Sequence, residues 1–150
     1  MNEDNVRKAI AVMQRALGRV SMMEFQTVHK QFKYAEFIAK TEAELHTCGS
    51  KACFAGHLGI SPEWIADGGG IDDCGVPEND NHYGASSIAQ WLGVEYNTAS
   101  ALIMGRRSAY HERTQRLADE HCRFYGKRWG DVDADDVIAK LKMILSGELA

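Results

Sequence analysis

The sequence predicts a mostly α fold: a compact single-domain helical protein over residues 1–150, with a long Gly/Asp-rich loop and a small β element near the N-terminal third. Three observations carry that expectation. Apolar residues recur at helical spacing near both ends of the chain, as Val6, Ile10, Met13 and Leu17 and again as Val137, Ile138, Leu141, Ile144 and Leu145. Helix-start signals precede two of the predicted helices. Only two prolines, Pro62 and Pro77, stand in the whole chain, which leaves room for long helices.

Taken in order, the first helix runs through Val6, Ile10, Met13 and Leu17, with Gly18 as its stop. From Arg19 to Thr27 the pattern fits a short strand or a helix, since Met23, Phe25 and Val28 suit either. His29 to Leu45 favours helix, with Phe32, Phe37 and Ile38 on one side and Lys30, Lys33, Glu36 and Lys40 outward. Cys53 to Gly59 is short and rich in small residues, as one or two buried helical turns require. Ser61-Pro62-Glu63-Trp64 begins another helix, with Ser as N-cap, Pro at the first position and an acid in the first turn.

Asp67 to Gly84 holds three consecutive glycines, Pro77, Asn79, Asn81 and several acids, and reads as one long loop. Ser86 to Leu92 and Asn97 to Met104 form a short helix pair broken at Gly93. Arg107 to Tyr125 places Tyr110, Thr114, Leu117, His121 and Phe124 on one stripe, with the acid-first pairs Glu112–Arg116 and Asp119–Arg123 elsewhere on its surface. In the last helix Asp133 caps the start, Asp136 takes the third position, Val132 and Val137 form a hydrophobic staple, and Gly147 ends it. The core is expected to join the first, penultimate and last helices.

A chain of 150 residues buries one core without covalent staples. A formal charge of -4 argues against broad electrostatic capture of nucleic acid and is too small for a DNA mimic. No window approaches the apolar length of a membrane span, and Asn2 to Lys8 is charged and lacks the apolar stretch of a signal peptide. The expected compartment is a reducing cytoplasm, where Cys48, Cys53, Cys74 and Cys122 stand as thiols or metal ligands rather than disulfides.

The densest chemistry lies in His46-Thr47-Cys48-Gly49-Ser50-Lys51-Ala52-Cys53-Phe54-Ala55-Gly56-His57-Leu58. A zinc site would use Cys48, Cys53 and His57 with His46, Cys74 or His82 as the fourth ligand, because thiolate and imidazole suit that ion. Four residues separate Cys48 from Cys53, at the edge of the usual knuckle range, and no second close ligand pair follows. A reactive thiol would place Cys53 at a helix start, where exposed N–H groups lower its pKa, with His57 or His46 as base. The plainest reading is a structural elbow. Gly49 and Gly56 relieve steric limits there, and the cysteines fill a tight corner as small hydrophobes.

The run C-G-S-K-A-C-F-A-G-H-L resembles the C-G-x-x-x-C-x-A-G segment of small phage and prophage proteins of unknown function. Those proteins also carry a later A-x-x-x-L-G-[LV] helix break and a C-terminal D-x-D-x-I-x-x-L-type helix. Ala89-Gln90-Trp91-Leu92-Gly93-Val94 and Asp133 to Leu141 stand in corresponding order here, the first one residue shorter and the second one residue longer than those patterns. The resemblance touches about a third of the chain, bears on origin, and implies no settled activity. It leads to an expected compartment in the host cytoplasm.

Ile88 to Val94 followed by Thr98 to Leu102 also looks like a repressor-type helix–turn–helix, Ser86 to Gly105, with Ala89, Gly93 and Leu102 in the small, turn and core positions. DNA would then be met by Asn97, Arg106 and Arg107. Against this, the reading helix offers Tyr96, Asn97, Thr98 and Ala101, no Lys or Arg precedes Gly105, and Glu95 sits where phosphates would approach. The acids Asp72, Asp73, Glu78 and Asp80 lack the alternation and closing Glu of a Ca²⁺ loop.

No nucleophile, base and orienting group stand at credible spacing. The expectation is therefore an accessory protein without enzymatic activity or cofactor, acting by binding a host or defence protein. DNA binding through the helix pair and zinc binding through Cys48, Cys53, His57 and Cys74 are the alternatives. The partner surfaces expected are the loop end at His82 and Tyr83, and Arg113 and Arg116 on the charged helix, because Tyr and Arg are enriched in binding hot spots.

Overall fold

The computed structural model describes residues 1–18, 20, 26–27, 51–71, 76–103, 122–128 and 131–149. The fold is mostly α. Its helices are α1 (Glu3–Arg15), α2 (Phe54–Gly59), α3 (Pro62–Ala66), α4 (Ala85–Leu92), α5 (Tyr96–Ile103) and α6 (Ala134–Leu145), and residues 122–125 are also helical. The strands are short: β1 (Gln26–Thr27), β2 (Lys51–Ala52), β3 (Gly70–Ile71), β4 (Pro77–Asn79) and β5 (His82–Tyr83). β1 and β2 pair antiparallel, which is the small β element expected near the N-terminal third. The expected helix from His29 to Leu45 and most of the Arg107 to Tyr125 helix lie outside the described residues.

The helix ends follow from local chemistry. In α1 the Asn2 side chain accepts from the Asn5 amide, and Glu3 and Asp4 face the positive end of the helix dipole. Val6, Ala9, Val12 and Met13 are buried. Leu17, expected on that stripe, is 52% exposed, because the helix closes at Ala16 and Gly18 turns the chain at φ +76°. In α3 the Ser61 hydroxyl accepts from the Trp64 amide and donates to the Leu58 carbonyl, with Pro62 in the first turn. The α6 start is a full capping box: Asp133 takes the Asp136 amide while Asp136 takes the Asp133 amide.

Val6, Met13, Phe54, Leu58, Trp64, Ile88, Leu92, Leu102, Val137, Leu141 and Ile144 belong to one buried cluster. α1 packs chiefly on α6, and α4 on α5. Polar ties fasten the rim. Asn5 donates to the Trp91 carbonyl at 2.8 Å. Asp67 accepts from Lys8 at 2.8 Å and from the Trp91 indole at 2.9 Å, so one carboxylate joins α1, the end of α3 and α4. Arg15 and Glu63 form a two-point pair at 2.9 and 2.7 Å.

Asp67 to Gly84 is not one long loop: it contains an antiparallel sheet of order β3-β4-β5. Asn79 pairs with His82 across a two-residue turn, Asp80-Asn81. Both turn residues have positive φ, 45° and 68°, as a type I′ hairpin turn demands. Asp and Asn tolerate that region better than other non-glycine residues. Pro77 opens β4, where a strand accepts proline.

Candidate functional site

The hairpin β4–β5 is held to the core from three sides. Gly59 at the end of α2 lets Ile71 and Pro77 come close, since a Cβ there would sit 2.6 Å from Ile71 Cγ2 and 3.3 Å from Pro77 Cγ. Trp64, fully buried, donates its indole N–H to the Gly70 carbonyl at 2.9 Å and meets Trp91 edge-on at 5.4 Å between centroids. Ser87 in α4 donates to the Pro77 carbonyl at 3.1 Å, and the Gly84 amide donates to the same carbonyl at 2.7 Å.

On this anchored hairpin His82 and Tyr83 both face solvent, and Tyr83 is 58% exposed. The His82 Nδ1 and Ser86 Oγ lie 3.1 Å apart, which fixes the imidazole over the start of α4. Asn79–His82 and Pro77–Gly84 are hydrogen-bonded pairs, so Tyr83 and Glu78 form the intervening non-hydrogen-bonded pair. Two consequences follow. The side chains of Tyr83 and Glu78 stand side by side on one face. The Tyr83 N–H and C=O point away from β4 to the outer edge of the sheet, and neither makes a hydrogen bond among the described residues.

The surrounding charge is one-sided. Residues 52–105 contain no Lys or Arg, while Glu63, Asp67, Asp72, Asp73, Glu78, Asp80 and Glu95 fall within them. Glu63 and Asp67 are paired with Arg15 and Lys8. Burial pushes Glu63 upward, but the Arg15 hydrogen bonds, a backbone N–H and the charges of Arg15 and Lys8 together outweigh it and hold the carboxyl below its usual range. The Lys8 hydrogen bond holds Asp67 down, with the Trp91 indole adding to it. Glu78 and Asp80 stay on the hairpin surface without an ion pair among the described residues.

The cysteine–histidine segment is seen in part. Cys53 caps α2 and is fully buried, and burial pushes its thiol up to about 11, outweighing the backbone N–H groups of Gly56 and Ala55. That is the opposite of what an activated thiolate needs at neutral pH. His57 lies one turn on and is also buried, its amide bonded to the Cys53 carbonyl. The other expected zinc ligands, His46, Cys48 and Cys74, lie outside the described residues. Among the described residues no three ligand-type side chains converge.

The helix pair expected of a DNA reader is present. α4 and α5 are joined through Gly93 at φ 65°, ψ 40°, and Asn97 is exposed at the start of α5 beside Glu95 and Tyr96. The element before α4 is the hairpin rather than a supporting helix. Gly93 has a further reason to be glycine, since a Cβ there would lie 2.8 Å from the Asn2 nitrogen, whose N–H donates to the Leu92 carbonyl. Arg106, Arg107, Arg113 and Arg116 lie outside the described residues. Among those residues no helix is long and apolar enough to cross a membrane.

The sequence singles out His82 and Tyr83 by residue type and does not show what holds them. The signal available was Asp80-Asn81, a turn-forming pair between Pro77 and Tyr83. Comparison with protein-family models, curated proteins and solved structures found no match.

Proposed function

We propose that this chain is an accessory protein without enzymatic activity, which acts by binding another protein through the β4–β5 hairpin, and that it is a phage product directed at host or defence machinery. The observation that carries the binding reading is Tyr83, a large exposed aromatic on a hairpin whose first residue, Pro77, is tied to α2 and α4. A hairpin tied to the core presents such a side chain with less backbone to order on association, and tyrosine is among the residues most enriched in hot spots. The phage assignment rests on the resemblance carried by the C-G-S-K-A-C-F-A-G run, with Ala89 to Val94 and Asp133 to Leu141 in corresponding order. Arg113 and Arg116 are proposed as a second contact from their sequence character.

The charge distribution favours a protein over DNA as partner. Nucleic-acid affinity comes mainly from Lys and Arg on phosphates, and the segment carrying the helix pair has none between 52 and 105. Capture from a bacterial lysate tests the reading. A specific partner is expected with the wild-type chain, and its recovery is expected to fall at least tenfold with Tyr83→Ala. Recovery unchanged by Tyr83→Ala and by the Arg113→Ala, Arg116→Ala double substitution overturns it, as does a DNA footprint at moderate salt.

A further inference from the structure

The hairpin edge specifies more than a contact point. We propose that the outer edge of β5 accepts an extended, arginine-containing segment of the partner by strand addition, with an arginine opposite Tyr83; this rests on the reading that the hairpin is the binding surface. The backbone supplies the first half of the argument. Tyr83 presents an outward N–H and C=O in strand geometry, the groups with which an added strand pairs. The partner residue facing Tyr83 would exchange both hydrogen bonds with it, and its side chain would emerge on the face that carries the Tyr83 ring.

Charge and ring chemistry supply the second half. On that face Tyr83 is flanked across the hairpin by the Glu78 carboxylate, with Asp80 at the turn. Neither carboxylate forms an ion pair among the described residues. An arginine opposite Tyr83 lays its planar guanidinium over the phenol ring and directs its N–H groups toward Glu78. Lysine satisfies the charge and not the stacking, and an acidic residue meets repulsion. The register also limits the length required: β5 is two residues long, so one paired residue and its two neighbours suffice.

The test uses the full chain and a fluorescein-labelled probe peptide of sequence Thr-Val-Arg-Val-Thr, read by fluorescence anisotropy at 50 mM salt. Binding is expected, weakened at least tenfold when the central arginine is N-methylated on its backbone and lost when that arginine is replaced by glutamate. Glu78→Gln with Asp80→Asn is expected to weaken it several-fold; the Asn keeps a residue that tolerates the turn's positive φ. In an amide NMR spectrum of the labelled protein the Tyr83 resonance is expected to shift and its exchange with solvent to slow. No binding at millimolar peptide, equal binding of the N-methylated or glutamate peptide, or an unmoved Tyr83 amide each overturns strand addition. If lysate capture still depends on Tyr83, the binding reading stands and only its mode fails. If capture fails as well, both fall.

Discussion

Gly68 and Gly69 are adjacent, and the structure requires glycine at each for a different reason, so alanine at each position separates backbone strain from packing. At Gly68 φ is +86° and an added Cβ meets nothing within 4 Å. The substitution therefore carries only the left-handed penalty, about 1–2 kcal/mol, reduced by roughly 0.4–1 kcal/mol because the unfolded chain also stiffens. Gly69 lies outside the left-handed region, but its Cβ would enter the buried Trp64 indole, 2.6 Å from Cδ1 and closer still to Cε2 and Nε1. To move Cδ1 from 2.6 Å to ordinary contact at 3.4 Å the ring must retreat by at least 0.8 Å. That retreat overpacks the core at a cost of about 1–3 kcal/mol. It also strains the indole bond to Gly70, worth about 1 kcal/mol. Gly69→Ala should thus destabilise by about 1–3.6 kcal/mol after the same unfolded-state offset. At roughly 2–4 °C per kcal/mol for a chain of this size, Tm falls by about 2–14 °C. Urea unfolding followed by tryptophan emission measures both variants, and near-ultraviolet circular dichroism reports the Trp64–Trp91 packing directly. If Gly68→Ala proves as costly as Gly69→Ala, or if Gly69→Ala leaves the aromatic signal unchanged, the reasoning about Trp64 is wrong.

Three further outcomes are expected. Asp133→Ala removes one arm of the α6 capping box and should cost about 1 kcal/mol in urea unfolding, with Asp136→Ala giving a comparable loss. Cys53 has its folded pKa raised from 9.0 to about 11, so its contribution is complete below pH 9 and is lost as pH rises to about 11; Cys53→Ala should flatten that part of the stability–pH curve by roughly 2–3 kcal/mol. Asp67 lies below its unperturbed 3.8 through the Lys8 hydrogen bond and then the Trp91 indole, so its contribution is present above that pH and fades as pH falls; acid titration of tryptophan emission should lose this phase in Asp67→Ala.

What was legible in the sequence is what local chemistry decides. The α6 capping box, the Ser61-Pro62 start and the Gly93 break each need only a few neighbouring residues, and each stands where the pattern placed it. The three-stranded sheet was hidden because strands of two or three residues give no alternation to count, and a tract of Gly, Asp and Asn masks them. Leu17 fits a helical stripe by spacing and lies just past the point where the helix closes. The ties that position the hairpin join residues far apart in the chain: Lys8 with Asp67, Asn5 with Trp91, Gly59 with Pro77. Such pairings have no signature in a single sequence. Tyr83 was therefore recognisable as a candidate contact by type, while the outward edge and the neighbouring Glu78 appear only with the strand register.

Gly93 shows how one residue supports two functional stories until packing decides what it is for. As the turn of a helix–turn–helix it completes a pattern with Ala89 and Leu102. In the structure Ala89 and Leu102 are core residues, and Gly93 is the point where Met1 and Asn2 lie against the bend, with the Asn2 amide closing on Leu92 at 2.8 Å. Asn5 adds a second bond to the Trp91 carbonyl one residue earlier. The end of α4 therefore has its free carbonyls capped by the start of α1, and any side chain at position 93 would push that cap away. Small, turn and core residues at those three positions are accounted for by packing, so the pattern by itself carries no information about DNA. The discriminating feature is charge: residues 52–105 hold acids and no Lys or Arg, and the basic residues that the DNA pattern would use, Arg106 and Arg107, follow the described part of α5.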